Sequence, residues 1–268
     1  MVAVVRTLDG IMTIAHLLMW IVCGAALLMT GLWIVQYVRR DATIVDVGWA
    51  FGMLGVALWL ALAGSGDEAR GALSGVLAGL WAARLGLHLL ANRVWGRTQE
   101  DGRYQHMRAA MGRWAQPGFF LFFQAQALFV VIFSVPLLPA FTSPRPLDVW
   151  ALLGVVIWLV AVAGECTADG QLARFRARPE NRGRTCQQGL WRRSRHPNYF
   201  FEWLHWWAYI PLGFGAPWWW LALCGPAVMY VFLRYLTGIP HTERQALSHR
   251  PDYAGYQRTT PVFFPRLW

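Results

Sequence analysis

An all-helical, polytopic membrane bundle of about seven spans is the fold this sequence predicts, and three observations predict it. The chain is 56% hydrophobic, with 17 tryptophans among its 268 residues. Its mean hydropathy is positive, +0.34. Its apolar runs recur at lengths close to the ~20 residues a bilayer crossing requires, near 11–38, 43–63, 71–92, 118–141, 147–168, 198–215 and 217–237. The sixth run is the shortest and most polar, which suits a half-helix or re-entrant segment buried in protein. All of 1–268 reads as a single integral membrane domain.

Arginine sets the expected orientation. All 24 basic residues are arginine, and lysine does not occur. Arg39, Arg40, the set from Arg93 to Arg113, the set from Arg174 to Arg195 and the tail from Arg244 to Arg266 fall on one side of a seven-span arrangement; Arg6, Arg70 and Arg145 fall on the other. The positive-inside rule then puts the N-terminus outside and the C-terminus in the cytoplasm. The formal net charge of +10 therefore reflects topology and anion binding, not nucleic-acid contact. Without lysine there is no P-loop, no Schiff base and no lysine nucleophile. Cys23, Cys166, Cys186 and Cys224 form no CxxC pair and are expected as free thiols. The first apolar run lacks a small-residue cleavage site and reads as a retained helix.

Along the chain, His16 suits packing near the outer interface. Asp46 lies several residues inside the second apolar run, where an ionised carboxylate is costly unless paired or wet. Two readings stay open for it: a protonated acid poised as a proton donor, or a partner for an arginine of a neighbouring helix. In the third run Gly71, Gly75 and Gly79 form a small-residue stripe that admits a close neighbour. Farther along, Arg84, His88 and Asn92 share one face that points at a cavity or a partner. Gln124 and Gln126 suit pairing between helices. Asp169 and Arg176 lie two helical turns apart, on one face if the fifth helix continues into the cytoplasm. The tail from His241 and Glu243 through Tyr253, Tyr256 and Arg258 reads as an amphipathic cap, because its aromatic residues need burial.

The stretch Gly189–Glu202 organises the rest. A basic run ends at Arg195-His196, Pro197 suits the first helical position, and an apolar helix follows. Arginines clustered at a helix N-terminus make a site for an anion, a phosphate above all; the plainer reading is a juxtamembrane basic cluster that only sets topology. Asn198, Glu202 and His205 inside the apolar segment favour a site, since polar groups in a membrane helix need a reason. Glu202 and His205 have the Glu-x-x-His spacing of di-iron bundles, but a single copy makes a metal site improbable. No Gly-x-Gly-x-x-Gly follows a strand, and no nucleophile elbow occurs.

Gly189-Leu-Trp191, Arg195-His196-Pro-Asn198-Tyr199 and Glu202, preceded by Asp169 and Arg176, resemble the C-terminal half of the steroid 5α-reductase family, in particular its bacterial relatives. The sterol C14- and Δ7-reductases share a related pattern, and the tail is similar to those of the isoprenylcysteine carboxyl methyltransferases. The resemblance covers about residues 165–268, with the Arg93 neighbourhood matching more weakly. It implies a seven-helix membrane bundle holding NADPH in its cytoplasmic half. The implied cofactor-binding positions are Arg93, Asp169, Arg176, Trp191, Arg195, His196, Asn198, Tyr199, Glu202, His241 and Arg258. It also implies reduction of a carbon–carbon double bond conjugated to a ketone, with an acidic side chain polarising the carbonyl. The family's helix-3 tyrosine position is Leu90 here, and Asp46, with Glu202, is the candidate acid. Implied surroundings are the bacterial inner membrane, a lipophilic substrate from the bilayer and a monomeric chain. Two alternatives remain: an S-adenosylmethionine-dependent membrane methyltransferase, and a cofactor-binding protein without turnover.

Overall fold

The computed structural model describes residues 2–96 and 99–266, with side chains from residue 14 onward. Among the described residues every regular element is helical. The helices are α1 Val2–Arg39, α2 Ile44–Ala63, α3 Glu68–Leu89, α4 Gly102–Met111, α5 Ala115–Ser134, α6 Leu138–Thr142, α7 Val149–Arg176, α8 Pro197–Trp207, α9 Tyr209–Gly213, α10 Cys224–Val231, α11 Ile239–His249 and α12 Tyr253–Thr259. The all-helical membrane fold is borne out.

Six segments among the described residues are long and apolar enough to cross a bilayer: Ile14–Arg39, Ile44–Ala63, Glu68–Val94, Gly102–Thr142, Val149–Arg176 and Trp219–His249. The sixth expected run, 198–215, is not among them. It divides into α8 and α9 because Pro211 has no N–H to give the carbonyl of Trp207. Outward-facing aliphatic residues on the long helices, such as Leu27, Leu62, Leu121 and Leu152, are exposed, as lipid-facing side chains must be.

The chain forms two compact units, residues 1–148 with 212–222, and 149–211 with 223–268. In the first, Gly75 lets α3 approach α2 closely: a Cβ built on it would stand 2.8 Å from the methyl of Ala61, as the small-residue stripe predicts. Gln124 donates to Thr30 Oγ1 at 3.0 Å, tying α5 to α1. Arg70 is fully buried. Its guanidinium donates to the carbonyls of Arg145, Pro146 and Leu212 and to Asp148 Oδ1 at 2.6 Å, so this buried cation is a clamp satisfied within the fold. The polar stripe of α3 departs from expectation at its far end. His88 and Asn92 are exposed, and the Asn92 amide turns back to the carbonyl of His88 at 2.8 Å.

In the second unit the tail is the expected cap. Ala246, Tyr253 and Tyr256 cluster in the interior, and the backbone returns to the start of α8 through Arg195 N–H to the Pro261 carbonyl at 2.9 Å and Arg266 N–H to the Arg193 carbonyl at 3.0 Å.

Candidate functional site

The expected site residues fall in two places. Asp46 and Arg93 belong to the first unit, and the rest to the second.

Asp46 sits in the first turn of α2. Its Oδ2 accepts from the guanidinium of Arg93 and from Arg103 Nη2 at 2.7 Å, and its Oδ1 accepts from the hydroxyl of Tyr104 at 2.9 Å. All three partners donate to it. Of the two readings of Asp46, pairing with an arginine of a neighbouring helix is the one observed. The pairing belongs to a larger network. Arg103 also bonds Asp101, with its Nε 3.1 Å from Oδ1; burial pushes the Asp101 carboxyl up, but the bonds from Arg103 outweigh it and hold the group below the usual carboxylate range. Arg108 pairs with Glu100 at 2.7 Å, and Glu100 caps the Ala42 N–H at 2.8 Å. The segment after α3 is thereby pinned to the start of α2.

The second place is built on α7, α8 and the tail. Asp169 and Arg176 lie on α7. Gln171, between them, receives the Leu190 N–H at 2.9 Å, which fixes the turn at Gly189–Arg192. Trp191 Nε1 bonds the Ala168 carbonyl at 2.9 Å. Pro197 opens α8 at its first position, as expected. At the second position of α8, Asn198 Nδ2 donates to Asp169 Oδ1 at 3.2 Å, while its own Oδ1 is buried and receives no hydrogen bond.

Glu243 on α11 draws this end together. Its carboxylate lies 2.7 Å from Arg195 Nε and 3.1 Å from His196 Nε2, and it accepts from Tyr253 at 3.2 Å and Gln257 at 2.9 Å. Arg195 also donates to the carbonyls of Gln257 and Thr260 at 2.7 and 3.2 Å, so its guanidinium is largely occupied in stapling the tail to α8. The His196 ring stacks on Tyr199 with centroids 5.3 Å apart, and the Tyr199 hydroxyl lies 3.3 Å from Thr242 Oγ1. Burial lowers the pKa of His196 despite the contact with Glu243. Tyr256 donates to the carbonyls of Trp191 and Ser194, and burial pushes the Tyr253 and Tyr256 hydroxyls up.

Between these elements lies a cavity of about 380 Å³. Arg176, Trp191, Arg195 and His196 line it, whereas Asp169, Asn198, Tyr199 and Glu202 do not; Cys186, Gln245, His249 and Arg250, which sequence reasoning missed, line it as well. The missed residues arrive through a pairing between distant segments: Thr185 bonds Asp252 through N–H and Oγ1 at 2.9 and 2.6 Å. The thiol of Cys186 is buried, which raises its pKa although Arg176 and Arg250 stand near enough to pull it down. Glu202 is buried deeper along α8. His241 and Arg258 are exposed and do not line the cavity. Among the described residues no group of three or more His, Cys, Asp or Glu could hold a metal ion.

Fold and site together define a polytopic helical membrane protein with an arginine-lined polar cavity at one end of its second unit. A family model described as a protein of unknown function (DUF1295) matches residues 32–260, and the chain belongs to that family. It is 26% identical over 218 residues to an uncharacterized protein of Schizosaccharomyces pombe, an alignment covering 70% of this chain and 61% of the relative. The chain thus spans less than two thirds of that relative's length. No solved structure matches.

Proposed function

We propose that this chain is an NADPH-dependent membrane reductase that saturates a carbon–carbon double bond conjugated to a ketone in a lipid or steroid-like enone. The carrying observation is the cavity lined by Arg176, Trp191, Arg195 and His196. The buried, unbonded Oδ1 of Asn198 is an acceptor on the helix that starts at the cavity, behind the residues that line it. These residues fit the cofactor. Further support comes from the family, which is associated with steroid 5α-reductase-like proteins, and from the resemblance over residues 165–268.

NADPH, when bound, supplies a hydride. The chain's own residues do the rest. Arg176 and Arg250 counter phosphate charge with forked donors. Asp169 orients Asn198 by the bond already described, and Trp191 and Tyr256 wall the cavity against water. Glu202, one turn beyond Asn198 on α8, is the acid that meets negative charge developing on the substrate's carbonyl oxygen. On this reading the arginine-rich segments face the cytoplasm, the cavity opens there, and the substrate comes from the bilayer of a bacterial inner membrane.

The test is thermal denaturation of the detergent-solubilised protein with NADPH, NADH or S-adenosylmethionine. NADPH at a hundredfold excess over its Kd should stabilise by about 2.7 kcal/mol, and the Arg176→Ala variant should need more nucleotide for the same shift. Stabilisation by S-adenosylmethionine alone would move the chain to the methyltransferases and overturn the roles given to Asp169 and Arg176.

A further inference from the structure

The stretch that leads into α8 divides its side chains between two surroundings. Trp191 turns inward, with its indole on the Ala168 carbonyl, whereas Arg192 and Arg193 beside it are exposed. The returning tail adds a third cation: Arg266 N–H donates to the Arg193 carbonyl at 3.0 Å, and Arg266 is exposed as well. Among the described residues none of these three arginines forms an ion pair with a carboxylate. Their depth follows from α7. Leu190 N–H donates to Gln171 Oε1 at 2.9 Å, close to the end of the apolar segment Val149–Arg176, so the turn that carries Arg192 and Arg193 stands at the edge of the hydrocarbon zone. Deeper along α8 runs an aromatic column. Phe200, Trp203 and Trp207 share one face at i, i+3 and i+7, and the tail lays Phe264 against it, 6.2 Å from Phe200 and 5.6 Å from Trp203 between ring centroids. Phe264 is 53% exposed and Trp207 39%, so the column keeps an open side. Cations at the edge of the apolar zone above exposed rings within it match the two halves of a phospholipid. None of these residues lines the cavity described above or the smaller one, of about 280 Å³, that adjoins it at Arg176 and Arg250.

We propose that Arg192, Arg193 and Arg266, together with Phe264 and the aromatic column of α8, form a site for one anionic phospholipid. Its phosphate meets the guanidiniums, whose forked donors suit phosphate oxygens, and one acyl chain lies along the rings. Charge decides which lipid the site prefers. A zwitterionic headgroup brings its own cation to the phosphate, and three arginines repel it; an anionic headgroup carries no such cation. The site stands apart from the cavity and holds whether or not that cavity takes a dinucleotide.

The experiment counts lipids on the full chain by native mass spectrometry, with the detergent-solubilised protein titrated with phosphatidylglycerol or phosphatidylcholine. The unaltered protein should hold a phosphatidylglycerol that an equal concentration of phosphatidylcholine does not replace. The Arg192→Ala/Arg193→Ala/Arg266→Ala variant should lose about 10- to 100-fold of that preference, at roughly a factor of five for each arginine near an anionic headgroup. All three side chains are exposed, so this variant should melt with the parent in phosphatidylcholine alone. The corresponding triple lysine variant should keep most of the preference, because it keeps the charge. Phe264→Ala should weaken both lipids by the same factor, since it removes contact with the acyl chain and leaves the headgroup contacts in place. Undiminished preference in the alanine variant overturns the site. Displacement of the lipid by inorganic phosphate overturns it too, and assigns these arginines to a soluble anion.

Discussion

In the first unit Arg93, Arg103 and Arg108 each reach a carboxylate, Asp46, Asp101 or Glu100. In the second, Arg176, Arg178, Arg182, Arg184 and Arg250 line cavities, and among the described residues none of them forms an ion pair with a carboxylate, although Asp169 and Asp252 stand near enough to act on Arg176 and Arg250. Composition does not tell these clusters apart, since both are arginine-rich segments following a long apolar helix. Their partners do. A guanidinium whose donors end on carboxylates of its own fold has finished its work in folding, and it stabilises by fixing a loop. One that faces a cavity without counter-charge costs the folded state something, and binding a ligand recovers it. Arg195 stands between these cases, lining the cavity while its donors go to Glu243 and the tail.

The sharpest way to break this comparison is to delete a member of each cluster and measure stability without ligand. Asp46→Ala removes the carboxylate shared by Arg93, Arg103 and Tyr104, leaving Arg103 its bonds to Asp101, and hydrogen bonds to charged groups are worth about 1.5–3 kcal/mol each. We expect a loss of about 2–3 kcal/mol in chemical denaturation of the solubilised protein. The Arg182→Ala/Arg184→Ala variant should stay within about 0.5 kcal/mol of the parent, as surface changes without partners do. Equal losses would erase the distinction. Asp46→Asn sharpens it, because the amide keeps one acceptor oxygen. If turnover survives in that variant while stability drops, Asp46 is structural and the acid role rests with Glu202.

How much of this was legible in the sequence follows the same division. The long spans were readable because apolar length is a local property: 43–63 is expected and Ile44–Ala63 is observed. The Asp169–Asn198 contact was half legible, since both residues stand out as polar groups near helix ends, although nothing local pairs them. Arg250 and Cys186 were not legible as site residues. They reach the cavity through the Thr185–Asp252 pairing and the return of the tail to α8, contacts across more than sixty positions that no periodicity encodes. Asp46 was visible as an anomaly, but its contacts needed Arg103 and Tyr104, which stand on α4, more than fifty positions away.

A smaller effect separates burial from pairing at His196. Burial lowers its pKa below the ordinary value of 6.5, outweighing the opposing pull of Glu243. The unfolded chain then takes up a proton below pH 6.5 that the folded site refuses, so stability is full above that pH and falls as pH drops through it. Thermal denaturation from pH 8 to pH 5.5 should show this decline, and His196→Gln should flatten it. Were the ion pair with Glu243 dominant, the folded pKa would be raised and acidification through the same range would stabilise the protein.

The smallest expected effect is kinetic and probes the cavity without an assay of turnover. Cys186 is 3% exposed, and burial raises its thiol above the ordinary value of 9.0, against the pull of Arg176 and Arg250. Only the thiolate attacks a maleimide, so Cys186 should label slowly at pH 7 and faster at pH 9. Cys23 and Cys166, both exposed, serve as internal references once detergent replaces lipid. Cys186 lines the cavity proposed for the dinucleotide, whereas Cys224 does not, so NADPH should slow labelling at Cys186 and leave Cys224 as it was. Protection of both would mean that the nucleotide tightens the whole fold. Protection of Cys186 alone, lost in the Arg176→Ala variant at the same nucleotide concentration, would tie the effect to an anion held beside the arginines that line the cavity.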